Sequence, residues 1–214
     1  MNHSPLIAVL FVIATSAVAA IPPPDGPFDV MTWPASLKQA STKGVTLGEL
    51  RVRFEETTLS QVVRSASIGT VAHQGDAAES TYWICYTISD PSQAERIWII
   101  SDGEMGGRDG GEHAVTGIAV VRSKDKQPRA DCPLLPRNLQ PVALDARIWL
   151  GSSSEEVKSV LGAPSHVAGA WREFDYHSKV PGSCDGGDDL LNSLTIKLDE
   201  GRVNTILADQ VTSC

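Results

Sequence analysis

The stretch LTIKLDEGRVNTILA, residues Leu194–Ala208, decides how we interpret the fold. Leu194, Ile196 and Leu198 alternate with polar residues, which is the period-two pattern of a β-strand with one buried face. Asp199-Glu200-Gly201 supplies a turn, and the strand pattern continues after it. The stretch therefore predicts an antiparallel hairpin, whose other face is either solvated or binds something.

A short helix is predicted before the strands in each half of the chain. Ser153 and Glu156 have the spacing of a capping box, and Gly162 follows the last apolar residue of the helix. Thr58 and Gln61 form a similar box in the first half. Both helices are therefore expected to be short and to begin at a side-chain cap.

Further strands are predicted at Arg96–Ser101 and Gly117–Arg122. The stretch Thr46–Phe54 fits either helix or strand, and we favour helix because its first four residues resemble a helix cap. Helices followed by antiparallel strands indicate fold class α+β. We expect two tandem units, each with short helices packed on one face of an antiparallel sheet of about four strands.

The two halves resemble copies of one unit. Asp109–Val120 aligns without a gap with Asp185–Ile196, and each contains an acidic glycine turn followed by alternating residues. Thr81–Tyr86 aligns with Trp171–Tyr176 earlier in each half. The self-similarity predicts a tandem repeat.

Proline-rich stretches mark the boundaries of the predicted units. Residues 21–40 form a leader and residues 127–141 form a linker, because both are too rich in proline for regular structure. We place the first helix-plus-sheet unit at residues 41–126 and the second at residues 142–214.

Residues 1–20 predict a signal peptide. They contain no Asp, Glu, Lys or Arg, and the apolar run Leu6–Val18 is shorter than the roughly 20 residues that a membrane span needs. The segment ends in Ala17-Val18-Ala19-Ala20, the small-x-small pattern of a signal-peptidase site. Because no cysteine follows directly, we expect a soluble periplasmic protein that is neither lipidated nor inserted in a membrane.

Four cysteines, Cys85, Cys132, Cys184 and Cys214, remain in the exported chain. An oxidising compartment favours disulfides, and four cysteines allow three connectivities. We expect Cys85 to pair with Cys132 and Cys184 with Cys214, because this places one bridge in each half of the chain. The alternative is a zinc site, but no two cysteines have zinc-ribbon spacing.

The second half resembles a known family through the motif Ile148-x-x-Gly151-x-Ser153-x-x-Glu156-Val157-x-x-x-Leu161-Gly162-x-Pro164, followed by Trp171–Tyr176 and Leu194–Ile206. This order is similar to the BamE (SmpA/OmlA) family of small outer-membrane assembly lipoproteins. Two BamE-like units in tandem, each with a cysteine pair, resemble the β-lactamase inhibitory proteins. That resemblance implies a helix-plus-four-strand fold whose exposed concave sheet face binds an enzyme.

Two acidic, glycine-rich turns are candidate partner-binding loops. Such loops can enter a basic cleft, for example on an enzyme that acts on anionic cell-wall material. The alternatives are a plain solvated hairpin and a calcium site, since calcium favours clustered oxygens, but the EF-hand order of acidic residues is absent. The candidate binding residues are Asp102, Glu104, Asp109 and Glu112 in the first turn and Asp185 and Asp188 in the second.

Trp98 is a further candidate for partner binding. In Arg96–Ile100, period-two geometry places Ile97 and Ile99 on one face and Trp98 with Ile100 on the other. Either this strand is covered on both sides, or Trp98 lies on an open face as an interface anchor.

The sequence contains no recognisable catalytic constellation. Residues 151–154 do not form a nucleophile elbow, and the histidines show no His-Glu-x-x-His pair. Asp175-x-His177 comes closest to a metal pair, but its neighbours supply no third ligand. A net charge of −8, from 26 acidic and 18 basic residues, argues against a general nucleic-acid binder. We therefore expect no enzyme activity, no metal and no cofactor.

The sequence thus predicts a monomeric protein-binding module. We expect an inhibitor or immunity protein that occludes an envelope-acting enzyme or toxin. The alternative is a non-lipidated envelope-assembly scaffold or a chaperone-like factor. An inhibitor would hold one enzyme through an interface of standard size, whereas a scaffold would contact assembly proteins more weakly.

Overall fold

The structure is a computed structural model that describes residues 20–28, 34–76, 80–89, 94–103, 111–125 and 127–214. Within these residues the chain forms eleven β-strands and two α-helices, α1 (Leu59–Ala66) and α2 (Ser154–Leu161). The strands, in chain order, are β1 (Gly44–Leu47), β2 (Leu50–Arg53), β3 (Ala72–Gln74), β4 (Thr81–Ser89), β5 (Ala94–Asp102), β6 (Gly117–Ser123), β7 (Val142–Leu144), β8 (His166–Ala168), β9 (Trp171–Val180), β10 (Asp188–Asp199) and β11 (Arg202–Ser213).

Eight of these strands form one antiparallel sheet, in the order β3-β4-β5-β6-β11-β10-β9-β8. The remaining three form a small sheet in the order β2-β1-β7. In the large sheet, β6 pairs with β11 from Val121 opposite Thr205 to Gly117 opposite Asp209. This pairing joins strands from both halves of the chain into one continuous sheet.

The expected fold class is therefore wrong. The described chain is mostly antiparallel β-sheet, and its strands form one sheet of eight and one of three rather than two α+β units. In separate four-stranded sheets, β6 and β11 would each expose a row of unpaired main-chain groups. Pairing these two edges satisfies those groups, which explains why the sheets merge.

The strand order identifies which segments occupy corresponding positions. Helix α1 precedes β3–β6, α2 precedes β8–β11, and each set of strands follows chain order from an outer edge to the centre. The aligned residues Thr81 and Trp171 begin β4 and β9, which are both second from an edge. The two acidic turns do not correspond, because one connects β5 to β6 and the other connects β9 to β10. Glycine and acidic residues suit many turns, so their alignment did not identify equivalent strands.

The stretch Thr46–Phe54, for which we favoured helix, lies in a β-hairpin. Strands β1 and β2 pair across a two-residue turn in which Gly48 has φ +58°. Val45, Leu47 and Val52 are buried, as period-two geometry requires. The helix prediction was wrong because the residue types before this turn are also those of a helix cap.

Both helices begin at the predicted capping boxes. The side chain of Thr58 accepts a hydrogen bond from the N–H of Gln61, and the Gln61 side chain accepts one from the N–H of Thr58. Ser153 and Glu156 make the same reciprocal pair at α2. Neither described helix has the length and apolar composition needed to cross a lipid bilayer.

The main hydrophobic core lies on one face of the large sheet, which we call the core face. Leu59 of α1, Val157 of α2 and Leu47 of the small sheet contribute to the same cluster of buried side chains. Six strands of the large sheet contribute fully buried residues to it, among them Ile84, Ile99, Ile118, Phe174, Leu194, Ile196 and Ile206.

The opposite face of the large sheet is covered by residues 20–28, which we call the strap; this is the strap face. Ala20 and Ile21 of the strap pack against a second apolar cluster. That cluster contains Trp83, Cys85, Trp98, Ala119 and Cys132.

Both expected disulfides are present, so the predicted pairing is confirmed. Cys85 and Cys132 have Cα atoms 4.6 Å apart and lie buried in the strap-face cluster. Cys184 and Cys214, with Cα atoms 5.6 Å apart, connect the β9–β10 turn to the residue that follows β11. The second bridge therefore fixes one of the acidic turns to the sheet.

Candidate functional site

The described parts of three connections lie at one end of the large sheet: residues 75–76 and 80, residues 103 and 111–116, and residues 181–187. The antiparallel pairing of β3 through β6 and of β9 through β11 places all three at this end. In sequence, these connections contain six acidic residues and one basic residue, Arg108. We call this surface, together with the strand-terminal residues Asp102, Asp188 and Asp189, the acidic end.

The first acidic turn is attached to helix α1 through main-chain hydrogen bonds. The N–H of Ser60 donates to the carbonyl oxygen of Gly111 at 2.8 Å, and the N–H of Leu59 donates to that of His113 at 3.0 Å. These donors belong to the first turn of α1, where N–H groups have no partner within the helix. Glu112 is exposed and lies between the two anchored residues.

The second acidic turn is held by the Cys184–Cys214 disulfide and by polar contacts. Oδ1 of Asp188 accepts a hydrogen bond from the Cys184 N–H at 3.1 Å. Lys179 Nζ lies 2.9 Å from Oδ1 of Asp189. Asp188 and Asp189 therefore stabilise the turn.

Asp185 is exposed at the tip of this turn. Cys184, Asp188 and Cys214 form the one group in the described residues whose atoms lie close enough to ligate a metal. Both sulfur atoms are in the disulfide, however, and a cysteine binds metal as a thiolate. The group is therefore a structural disulfide with a neighbouring carboxylate. Asp185 is the exposed carboxylate of this turn.

The other predicted binding residues have different environments. Asp102 is half-buried at the end of β5, and its N–H donates to Oγ1 of Thr116 at 2.9 Å. Glu104 and Asp109 lie outside the described residues. Of the six predicted acidic residues, the described structure thus places four at one end of the sheet, with Glu112 and Asp185 the most accessible.

Trp98 is not an exposed interface anchor, so that interpretation is corrected. Its side chain is buried, with 5% of its surface exposed, under the strap. The indole nitrogen donates a hydrogen bond to the carbonyl oxygen of Ile21 at 3.1 Å. The alternative, a strand covered on both faces, is the correct one, because the strap occupies the second face.

Three carboxylates lie together on the strap face, beside the apolar cluster. Glu173 and Asp175 are buried on β9, and Asp209 is half-buried on β11. Asp175 lies opposite Ser193 on β10, and Ser193 lies opposite Asp209. We call Glu173, Asp175 and Asp209 the carboxylate cluster.

The three carboxylates have different hydrogen-bond partners. The Ser165 hydroxyl donates a hydrogen bond to Oδ2 of Asp175, and the Ser193 side chain is hydrogen-bonded to Asp209. Oε2 of Glu173 is buried and has no hydrogen-bond partner among the described residues. Burial, together with the neighbouring Asp175 and Asp209, raises the pKa of Glu173 to about 7. Burial and Asp175 also raise the pKa of Asp209 to about 7.

A cavity of about 150 Å³ separates the carboxylate cluster from the strap. Its walls include Gly26 and Phe28 of the strap and the hydroxyl residues Ser193 and Thr195 of β10. Its remaining lining residues are Glu173, Asp175, Leu207 and Asp209.

Sequence reasoning identified one member of this cluster, Asp175, through a possible metal pair with His177. The better signal was the alternation of acidic Glu173 and Asp175 around the apolar Phe174. On a strand, that alternation places two carboxylates on the same face.

Comparisons with protein-family models, with curated proteins and with solved structures found no match to this chain. A functional interpretation therefore depends on two features of the chain's own structure. One is the exposed negative charge of the acidic end, and the other is the carboxylate-lined cavity under the strap.

Proposed function

We propose that this protein is a protein-binding module of the cell envelope that inhibits an enzyme or toxin by placing its acidic end in a basic cleft. One observation carries the proposal. Two acidic turns that are far apart in sequence lie at the same end of one continuous sheet, where Glu112 and Asp185 are exposed.

The described part of each turn, residues 111–116 in the first and 181–187 in the second, is anchored to the fold, which favours tight binding. Glu112 lies between residues that are hydrogen-bonded to α1, and Asp185 follows a disulfide-bonded cysteine. Loops that are already ordered lose less conformational entropy on association than flexible loops do. Anchored turns therefore suit an inhibitor, which must hold its carboxylates in fixed positions.

The charge of the acidic end defines the class of partner. Clustered carboxylates accelerate association with a positively charged surface and disfavour negatively charged ones. A basic cleft attracts an anionic substrate, such as a cell-wall polymer. An envelope hydrolase or toxin of that class is therefore the proposed target.

Enzyme inhibition tests this proposal directly. The purified protein would be titrated into a panel of purified cell-wall hydrolases and nuclease-type or hydrolase-type toxins, and residual activity would be measured. We expect one member of the panel to lose activity at a stoichiometry of about one to one, with submicromolar affinity at an interface of standard size.

A pair of charge-reversal variants locates the interface. Glu112→Lys/Asp185→Lys should relieve inhibition, whereas Asp199→Lys/Glu200→Lys should not. The control residues are exposed and lie in the hairpin at the opposite end of the sheet. The control substitutions change the net charge by the same amount as Glu112→Lys/Asp185→Lys. Equal inhibition by both variants, or association with outer-membrane assembly proteins instead of a hydrolase, would overturn the proposal.

A further inference from the structure

The cavity under the strap has the electrostatic character of a cation-binding site. Three of its lining residues are carboxylates, and none of the described residues that line it is basic. Ser193 and Thr195 add hydroxyl groups that accept or donate hydrogen bonds. A ligand that enters this cavity must supply positive charge or hydrogen-bond donors.

Glu173 provides an independent indication of a ligand. Its side chain is buried, with 5% of its surface exposed, and it lines the cavity. Asp175 and Asp209 each have a serine partner, but Oε2 of Glu173 has none among the described residues. A buried carboxylate oxygen without a donor is costly, and a donor group in the cavity would remove this cost.

The dimensions of the site favour an organic cation over a bare metal ion. A metal ion draws its oxygen ligands to within about 2.0–2.6 Å of itself. In the described residues, the atoms of Glu173, Asp175 and Asp209 do not form a group compact enough for a metal. The cavity volume of about 150 Å³ is also about ten times the roughly 10–15 Å³ that a cavity needs to hold one water molecule.

Phe28 supplies a wall suited to an alkylammonium ion. Phe28 lines the same cavity as the carboxylates, and its ring makes an edge contact with His166, at 5.0 Å between ring centroids. An aromatic face attracts an ammonium group, and its carbon atoms pack against an alkyl chain. Carboxylates on one wall and an aromatic ring on another are a recurring arrangement for amine recognition.

We infer that this cavity binds a small primary alkylammonium ion, whose ammonium group donates hydrogen bonds to Glu173 while its alkyl chain contacts Phe28. The site is separate from the acidic end, so this inference does not depend on the proposed inhibitory function. The same ammonium chemistry is found in free amines and in the lysine side chain of a peptide. The small volume and the covering strap favour the free amine.

Isothermal titration calorimetry with defined probes tests the inference. Butylammonium and 1,4-butanediammonium would be titrated into the full protein at about pH 8, where the cluster carries more charge than at about pH 5. Butanol is the neutral control of matched shape, a lysine-containing tetrapeptide tests the peptide source, and calcium chloride tests a metal. We expect both amines to bind, and we expect butanol, the peptide and calcium not to bind. The affinity for the amines should fall about tenfold at the lower pH.

Three variants assign the binding to this cavity. Glu173→Gln keeps the size of the side chain and should weaken butylammonium binding about tenfold, whereas the exposed control Glu155→Gln should leave it unchanged. Phe28→Leu should weaken it severalfold and provides a second test if Glu173→Gln does not fold. The inference fails if neither amine binds, if calcium or butanol binds as well as the amines, or if Glu173→Gln and Phe28→Leu bind as tightly as the wild type.

Discussion

The indole nitrogen of Trp98 donates a hydrogen bond to the main-chain carbonyl oxygen of Ile21 at 3.1 Å. This contact attaches the strap to β5 of the large sheet, and it joins residues that are 77 positions apart in sequence. A side chain on β5 thus has a structural role in closing the strap face. The contact also explains why Trp98 is not available to a partner.

Replacing Trp98 should therefore lower the stability of the fold. Trp98→Ala should lower the free energy of unfolding by about 3–5 kcal/mol, because it removes a large buried side chain. Trp98→Phe should cost about 1 kcal/mol through loss of the hydrogen bond. Urea denaturation measures both changes in the free energy of unfolding. The control is Trp171→Ala at a half-buried position, which should lower the free energy of unfolding less than Trp98→Ala does. A stability cost near zero for Trp98→Ala would show that the strap does not cover this side chain in solution.

The turn between β1 and β2 should be intolerant of a side chain at Gly48. A Cβ atom there would collide with the carbonyl oxygen of Asn138, and the residue has φ +58°. Gly169 has the same φ but open space around it, so it is a matched control. Gly169→Ala should cost about 1–2 kcal/mol for the left-handed conformation, and Gly48→Ala should cost clearly more. Equal losses in thermal denaturation would contradict the packing of residues 137–139 against this turn.

The carboxylate cluster should make stability fall as pH rises from about 4 to about 7. Because the pKa of Glu173 and that of Asp209 are raised to about 7, the folded protein binds more protons in this window than the unfolded chain. The stabilisation is complete below the ordinary carboxyl pKa and is lost as pH rises through about 7. Asp175 and the register partner His166 face Glu173, so a variant is needed to isolate its contribution.

Glu173→Gln should flatten this pH dependence. Urea denaturation at pH 5 and pH 8 should show a smaller difference in the variant, with the variant more stable than the wild type at pH 8. Main-chain hydrogen bonds lower the pKa of Asp125 and of Glu156, so those groups affect stability only at lower pH. An unchanged slope between pH 5 and pH 8 would show that Glu173 is not buried as described.

The two disulfides should differ in their accessibility to reductant. Cys85 and Cys132 are both buried, whereas Cys184 is half-buried and Cys214 is exposed. Mild dithiothreitol without denaturant, followed by alkylation and mass spectrometry, should label Cys184 and Cys214 first. Labelling of the other pair should require unfolding. Simultaneous labelling of all four cysteines would contradict the burial of the Cys85–Cys132 bridge.

Sequence reasoning succeeded where a feature depends on neighbouring residues. The hairpin at Leu194–Ala208 forms, because alternating side chains and a glycine turn are sufficient to specify two paired strands. The capping boxes at Thr58 and Ser153 also form, because their hydrogen bonds span three residues. The disulfide pairing was predictable because each bridge joins cysteines within one half of the chain.

Features that depend on long-range contact were not predictable in this way. The β6–β11 pairing unites the sheet, but the residue pattern of either strand alone does not identify the strand with which it pairs. Likewise, the position of Ile21 over Trp98 follows from the path of a proline-rich segment without periodicity. The carboxylate cluster needs Asp209 from β11 beside Asp175 from β9, and no spacing in the sequence relates these two residues.

If the acidic end forms the binding surface, its carboxylates should set the rate at which the protein associates with an inhibited enzyme. Stopped-flow or surface-plasmon measurements would compare the wild type with Glu112→Lys/Asp185→Lys and with Asp199→Lys/Glu200→Lys at low and high salt. We predict that the first variant associates about tenfold more slowly at low salt and loses most of its salt dependence. We predict that the second variant retains the wild-type rate. Equal slowing of both variants would contradict this expectation, because net charge rather than the acidic end would then drive association.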